Sequence, residues 1–351
     1  MINRLRSLFG KAGKEPDAGV PAPQVPAAAP VPSPEDAAEK ERRLTAAVSD
    51  AERKGGDGVG LSDALTHLAD FRMQHEQPAE TERLMRRVLA IEEAAAPVRP
   101  GRLVTALANL AATCRYLGKK AEAEALYRRA SERCEGSPDV ADALAVTVVE
   151  ALMAMCSEDR RYADCEPLCR RSIALRERIH GPTDEELVTS LTNLATIYRY
   201  MQRYPDAEAA LRRLIALLEH RRGPDHPDIA HQLHFLVDAC FNQGRNDEAE
   251  KECRRALAIY EKTKPLDLRG GAATLANLGQ ILRRQGRVDE AEEAYKEALL
   301  TVDVGGEACR SVAVHVLNGY AEFLRERGRD AEAQTQAARA AQLSAAAAPA
   351  G

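Results

Sequence analysis

Apolar positions follow two nested rhythms along this chain. Within one stretch, Leu107, Leu110 and Ala111 keep the i, i+3, i+4 spacing of a single buried helix face, as do Leu191, Leu194, Ala195 and Leu275, Leu278, Gly279. Every 42 residues the stripe returns. One column reads Leu65, Leu107, Val149, Leu191, Leu233, Leu275, Leu317, and three residues on another reads Leu68, Leu110, Leu152, Leu194, Leu236, Leu278, Tyr320. The next position is mostly small: Ala69, Ala111, Met153, Ala195, Val237, Gly279, Ala321. Small residues there let a neighbouring helix approach closely.

A second helix follows in each repeat. Ala207-Glu208 aligns with Thr81-Glu82, Ala123-Glu124, Cys165-Glu166, Ala249-Glu250, Ala291-Glu292 and Ala333-Gln334. Four residues after each of the first six glutamates comes a base (Arg86, Arg128, Arg170, Arg212, Arg254, Lys296), the favourable direction for an i,i+4 pair. This pattern predicts a helix with a solvated face. Between the two helices, Gly118, Gly244, Gly286 and Gly328 share a turn column with Glu76, Arg160 and Gln202. Each repeat is therefore expected to be a helical hairpin, and since neither helix covers its own apolar stripe, seven hairpins must stack on one another.

Composition narrows the possibilities. The 351 residues include no Trp and abundant Ala, Leu, Glu and Arg, which predicts an all-α protein. A net charge of −5 argues neither for nucleic acid nor for a strongly acidic partner. No stretch reaches the roughly 20 apolar residues of a membrane span, and a cytoplasmic location is expected. Six of the eight cysteines fall in core columns: Cys114, Cys156 and Cys240 with Tyr198 and Leu282, Cys165 with Ala123, and Cys169 and Cys253 with Tyr127. They are expected as packing residues.

The pattern L-x-x-L-A … G-x-x-x-x-A-E-x-x-Y-x-x-A, over about residues 61 to 342, resembles the tetratricopeptide repeat. The 42-residue spacing and the loop GPDHPDIA at 223–230, echoed by HGPTDEEL at 180–187, resemble the long-repeat variety of kinesin light chains. This resemblance implies a right-handed superhelical α-solenoid whose first helices line a concave groove for a peptide or partner helix. It also implies a role for Asn two residues after the first Leu column, where family members clamp the bound peptide backbone.

Asn109, Asn193 and Asn277 match that position, and His67, Ala151, Phe235 and Gly319 occupy it elsewhere. Six residues further, each Asn repeat has an arginine, Arg115, Arg199 or Arg283, followed by Tyr116, Tyr200 or Arg284. Stacking does not require this pairing in alternate repeats. Arginine favours carboxylates, so an acidic extended segment is the expected ligand, with Phe235, Phe241 and Met73 adding apolar pockets. At roughly 10 Å between neighbouring first helices, Asn109 to Asn277 would span on the order of twelve extended residues at about 3.3 Å each. The expected function is a non-enzymatic protein-interaction scaffold. The alternative is a regulatory or sensor array responding to a small ligand or metal.

Motifs for phosphate loops, dinucleotide binding, zinc proteases and nucleophile elbows are missing from the sequence, so no catalytic residue and no cofactor is expected. His220, His226, His231 and His234 cluster, but no Cys or carboxylate completes a metal set. Outside the repeats, residues 1–14 (MINRLRSLFGKAGK) place Ile2, Leu5, Leu8 and Phe9 at helical spacing among Arg4, Arg6, Lys11 and Lys14, with no acid. Such a stretch suits weak docking on an anionic membrane surface or a partner groove. A Pro- and Ala-rich linker runs to residue 34, a capping helix and Gly-rich linker are expected over 35–60, and a disordered Ala-rich tail over 343–351.

Overall fold

The computed structural model describes residues 34–345, apart from 56–57, 136, 138–139 and 264–265. The expectations for residues 1–33 and 346–351 lie outside the described residues. Among those described, regular structure is entirely helical, and the chain forms two compact units that meet in sequence at Pro182 and Thr183.

The N-terminal unit begins with α1 (Pro34–Lys54), which packs against α2 (Val59–Gln74). Three hairpins follow: α2 with α3 (Pro78–Ala94), α4 (Pro100–Tyr116) with α5 (Lys120–Glu135), and α6 (Asp142–Glu158) with α7 (Tyr162–His180). The C-terminal unit holds four more: α8 (Glu186–Tyr200) with α9 (Tyr204–Arg222), α10 (Pro227–Asn242) with α11 (Asn246–Lys262), α12 (Leu268–Arg284) with α13 (Val288–Gly305), and α14 (Arg310–Glu326) with α15 (Asp330–Ala345). A short 3₁₀ turn, Gly306–Cys309, leads into α14. These are the hairpins that the 42-residue period predicts. The fold is an all-α solenoid.

The apolar columns are the core. Leu65, Leu107, Val149, Leu191, Leu233, Leu275 and Leu317 are all buried, as are Leu68, Leu110, Leu152, Leu194, Leu236, Leu278 and Tyr320. The small column fits tightly where it meets an aromatic ring. A Cβ on Gly279 would lie 3.0 Å from the ring of Tyr295, and one on Gly319 would lie 3.2 Å from it. Tyr295 stacks against Tyr320 with ring centroids 5.7 Å apart. The same ring therefore leaves little room for a side chain at Gly319, which stands in the Asn column.

Each hairpin turn needs one left-handed residue. Gly118, Gly244, Gly286 and Gly328 take φ between 70° and 77°. Glu76, Arg160 and Gln202 adopt φ of 56–57° in the same column, a conformation that costs a side-chain-bearing residue energy. The benefit is closure of the preceding helix: the amide of Lys119 donates to the carbonyl of Cys114 at 2.9 Å, and that of Arg161 to Cys156 at 2.8 Å.

The second-helix glutamates correct the sequence reading. A solvated face was expected, yet the side chains of Glu82, Glu208 and Glu250 keep only 11%, 10% and 8% exposure. Each is gripped by its i+4 base and by a second base from the residue just past the next hairpin's turn. Glu82 accepts from Lys119 at 2.7 Å, Glu124 from Arg161 at 2.8 Å, Glu250 from Arg287 at 2.7 Å and Glu292 from Arg329 at 2.8 Å. Arg245 grips Glu208 in the same way. These contacts join successive hairpins. They hold Glu82, Glu124 and Glu292 below the usual carboxylate range, Glu292 at about 2. Burial opposes the same effect at Glu208 and Glu250, but the basic partners prevail.

Candidate functional site

Helical geometry sorts the residues proposed for binding. Residues seven apart on a helix return to nearly the same azimuth, whereas residues six apart lie about 120° round. Tyr116, Tyr200 and Arg284 therefore share a stripe with Asn109, Asn193 and Asn277, and the arginines at six turn sideways toward the next first helix. The structure agrees: Tyr116 and Tyr200 are 66% and 64% exposed. The arginines instead meet acids.

In the N-terminal unit, Arg115 is tied to Glu158 at the end of α6, which also attracts Lys120 at 3.7 Å. Asn109 is partly exposed on α4. Near the start of the unit, Asp70 has its pKa raised by burial, with His67 partly offsetting the shift.

In the C-terminal unit the face is richer. Arg199 lies over the ring of Phe235 at 4.3 Å and reaches Asp238 at 3.4 Å. Arg284 lies 3.8 Å over Phe241 and donates to the Phe241 carbonyl at 3.2 Å. Arg283 is mostly buried, at 18% exposure, and stands 3.6 Å from Glu322 and 3.5 Å from Glu326. Its Nη1 makes no hydrogen bond. Asn193 is partly exposed on α8.

Asn277 has neighbours that the sequence reading missed. Its amide lies 3.4 Å from His234 Nδ1 and 3.4 Å from His315 Nε2, so two imidazoles orient it. Desolvation lowers the pKa of both histidines; Asp238 opposes the shift at His234 and Arg199 adds to it. One signal was available, because His234 precedes Phe235 in the Asn column and His315 lies one turn before Gly319 of that column.

The cysteine and histidine leads resolve into structure. Cys114, Cys156, Cys165, Cys169, Cys240 and Cys253 are buried and free, and burial pushes the thiols of Cys165 up to about 11 and Cys169 to about 12. His226 caps α10, its Nδ1 accepting from the Asp228 amide at 3.2 Å. His231 approaches Tyr260 and Asp267, whereas His234 meets Asn277. Two trios, Glu82-Cys114-Glu122 and Glu208-Cys240-Glu248, bring ligand atoms within 4.8 Å of one another. Their central glutamates are already compensated, Glu82 by Lys119 and Arg86, Glu208 by Arg212 and Arg245.

With hairpins and faces established, comparison with known proteins decides the family. A tetratricopeptide repeat model matches residues 149–220, 193–262 and 228–299, and further tetratricopeptide repeat models match 276–351 and 103–136. The chain is a tetratricopeptide repeat protein. As such it is a protein-interaction scaffold in kind. Among solved structures, this array is similar to BtubC (BKLC) from P. vanneervenii, at 20% identity and TM-score 0.45 over 66% of this chain and 90% of that one. It is also similar to a kinesin light chain of nearly identical TPR-like repeats from Podosopora anserina, at 17% identity and TM-score 0.35 over 68% and 93%. A signal transduction ATPase with a tetratricopeptide repeat sensor from Pyrococcus horikoshii matches at 12% identity and TM-score 0.50, over 88% of this array and 44% of that chain. At these identities the likeness is one of fold. No curated protein matches the sequence.

Proposed function

We propose that this array captures an extended, acidic segment of a protein partner on its first-helix face, with the C-terminal unit making the decisive contacts. The observation that carries this reading is Arg283. Its guanidinium is largely withdrawn from water, its Nη1 lacks a hydrogen bond, and its nearest carboxylates stand at 3.5 and 3.6 Å. A buried donor left without a partner is costly, and a ligand carboxylate would supply the missing bond. Asn193 and Asn277 add amides that both donate and accept, as pairing with a peptide backbone requires. Tyr200 and Arg284 offer exposed stacking surface beside them.

Arg115 contributes less, because Glu158 already occupies it. An acidic ligand there must displace an internal partner. Selection of extended peptides displayed against the full chain tests the proposal: Asp- and Glu-rich sequences are expected, and their binding should vanish when Asn193 and Asn277 are both replaced by Ala with helicity unchanged. Selected peptides that bind the double variant equally well would overturn it.

A further inference from the structure

Successive second helices are also joined by a further ladder of ion pairs. Arg129 meets Glu93 at 2.6 Å in the N-terminal unit, and Arg171 meets Glu135 there in the same way. Arg255 pairs with Glu219 and Arg339 with Asp303 in the C-terminal unit. Every pair joins an acid to the arginine 36 residues later. At one rung the ladder breaks: Glu261 faces position 297, where the column of Arg87, Arg129, Arg171, Arg213, Arg255 and Arg339 gives way to Glu297.

Three exposed positions of α13 depart from their columns as well. Glu293 replaces a column of Arg83, Ala125, Pro167, Ala209, Lys251 and Thr335; Leu300 stands where other repeats carry Ala, Glu or Gln; and Val304 takes the column of Arg178, His220 and Lys262. Positions 293, 297, 300 and 304 keep the i, i+4, i+7, i+11 spacing of one helix stripe. Leu300 and Val304 are 42% and 45% exposed, unlike the buried leucines of the stacking columns.

Beside this stripe a cavity of about 200 Å³ opens between α11, α12 and α13, floored by Leu257, Leu275, Leu278 and Leu282 and rimmed by Glu261, Glu290, Glu293 and Glu297. Arg254 is its one lining base, and it is taken by Glu250; on the rim, Glu290 is already paired with Arg287. Glu261 Oε1 is buried without a hydrogen bond. The other rungs show what a carboxylate here accepts: an arginine guanidinium. Apolar stripe and carboxylate rim together fit a basic amphipathic segment.

We infer that this groove is the docking site of the chain's own residues 1–14. Ile2, Leu5, Leu8 and Phe9 match the apolar stripe, while Arg4, Arg6, Lys11 and Lys14, unaccompanied by any acid, match the rim. One of these arginines takes the place that the missing rung leaves beside Glu261. The groove opens between the second helices α11 and α13 over the buried leucine stripe of α12, away from the exposed Asn and Arg positions of the acidic-segment face, so it adds a second site of opposite charge preference.

The test uses the full chain with Arg4, Arg6, Lys11 and Lys14 replaced by Gln, so that its own segment does not compete, titrated with a fluorescent peptide of residues 1–14. Saturable binding that weakens with salt is expected. Glu297→Arg, which restores the rung to Glu261, should cut affinity at least tenfold while raising the melting temperature, so lost binding is not lost folding. Leu300→Ala with Val304→Ala should cut affinity several-fold. Equal binding to the parent and the Glu297→Arg protein would overturn the assignment. So would peptide binding only to anionic phosphatidylserine vesicles, or dimerisation of the tail-neutralised chain that Glu297→Arg abolishes.

Discussion

Arg115 and Arg283 occupy the same position of the repeat in different units, yet their surroundings differ. Arg115 is paired with Glu158 in the N-terminal unit. Arg283, in the C-terminal unit, is buried more deeply and has Nη1 without a hydrogen bond, with Glu322 and Glu326 just beyond bonding distance. The contrast teaches that a repeated residue is not a repeated function. The first arginine is hydrogen-bonded to the next hairpin, and the second faces its acids with one donor nitrogen unbonded, the donor that the proposed acidic segment would use.

Disrupting the scaffold around Arg283 gives the largest effect. Leu275 is buried on α12, and Leu275→Ala should cost about 2–5 kcal/mol in urea-monitored stability and disorder the first-helix face around Arg283. Leu107→Ala makes the matching cut beside Arg115.

Acid comes next. The gripped glutamates have folded-state pKa values below their unfolded ones, so their contribution is complete above the unfolded carboxylate range, roughly pH 4–4.5. It is lost as pH falls through the folded values, about 2 for Glu292. Stability by circular dichroism should hold from pH 7 to 5 and decline progressively below about 4. Glu292→Gln should flatten part of that decline.

Smaller changes sharpen the arginine comparison itself. Glu158→Gln should free Arg115 and raise acidic-peptide affinity several-fold, about 1 kcal/mol, because the N-terminal arginine then resembles its C-terminal counterpart. Glu322→Gln should help less, since Arg283 is already poised. The smallest expected effect lies in the turns: Arg160→Gly or Gln202→Gly relieves a left-handed backbone and should raise stability by up to about 1 kcal/mol, measured by urea denaturation, without altering peptide binding.

The hairpins were legible because stacking imposes the same demand on every repeat: Leu107, Leu191 and Leu275 had to be apolar wherever a neighbour covers them. Buried cysteines followed from the same columns. The inter-repeat ion pairs were less visible, because their period is offset. Glu82 and Lys119 lie 37 residues apart, and Arg115 and Glu158 lie 43 apart, so neither pair shares a column. A search at the period plus or minus a few residues would have shown both. Asn277 between His234 and His315 depended on side-chain directions across three first helices, which spacing alone does not give.

The most direct test of the central claim is a fluorescence-anisotropy titration of one display-selected acidic peptide against the full chain, its Arg115→Ala variant and its Arg283→Ala variant. The account predicts that Arg115→Ala leaves affinity within about twofold and Arg283→Ala lowers it at least tenfold, consistent with loss of a charged hydrogen bond of about 1.5–3 kcal/mol. Equal losses in the two variants, or no loss at Arg283, would contradict it.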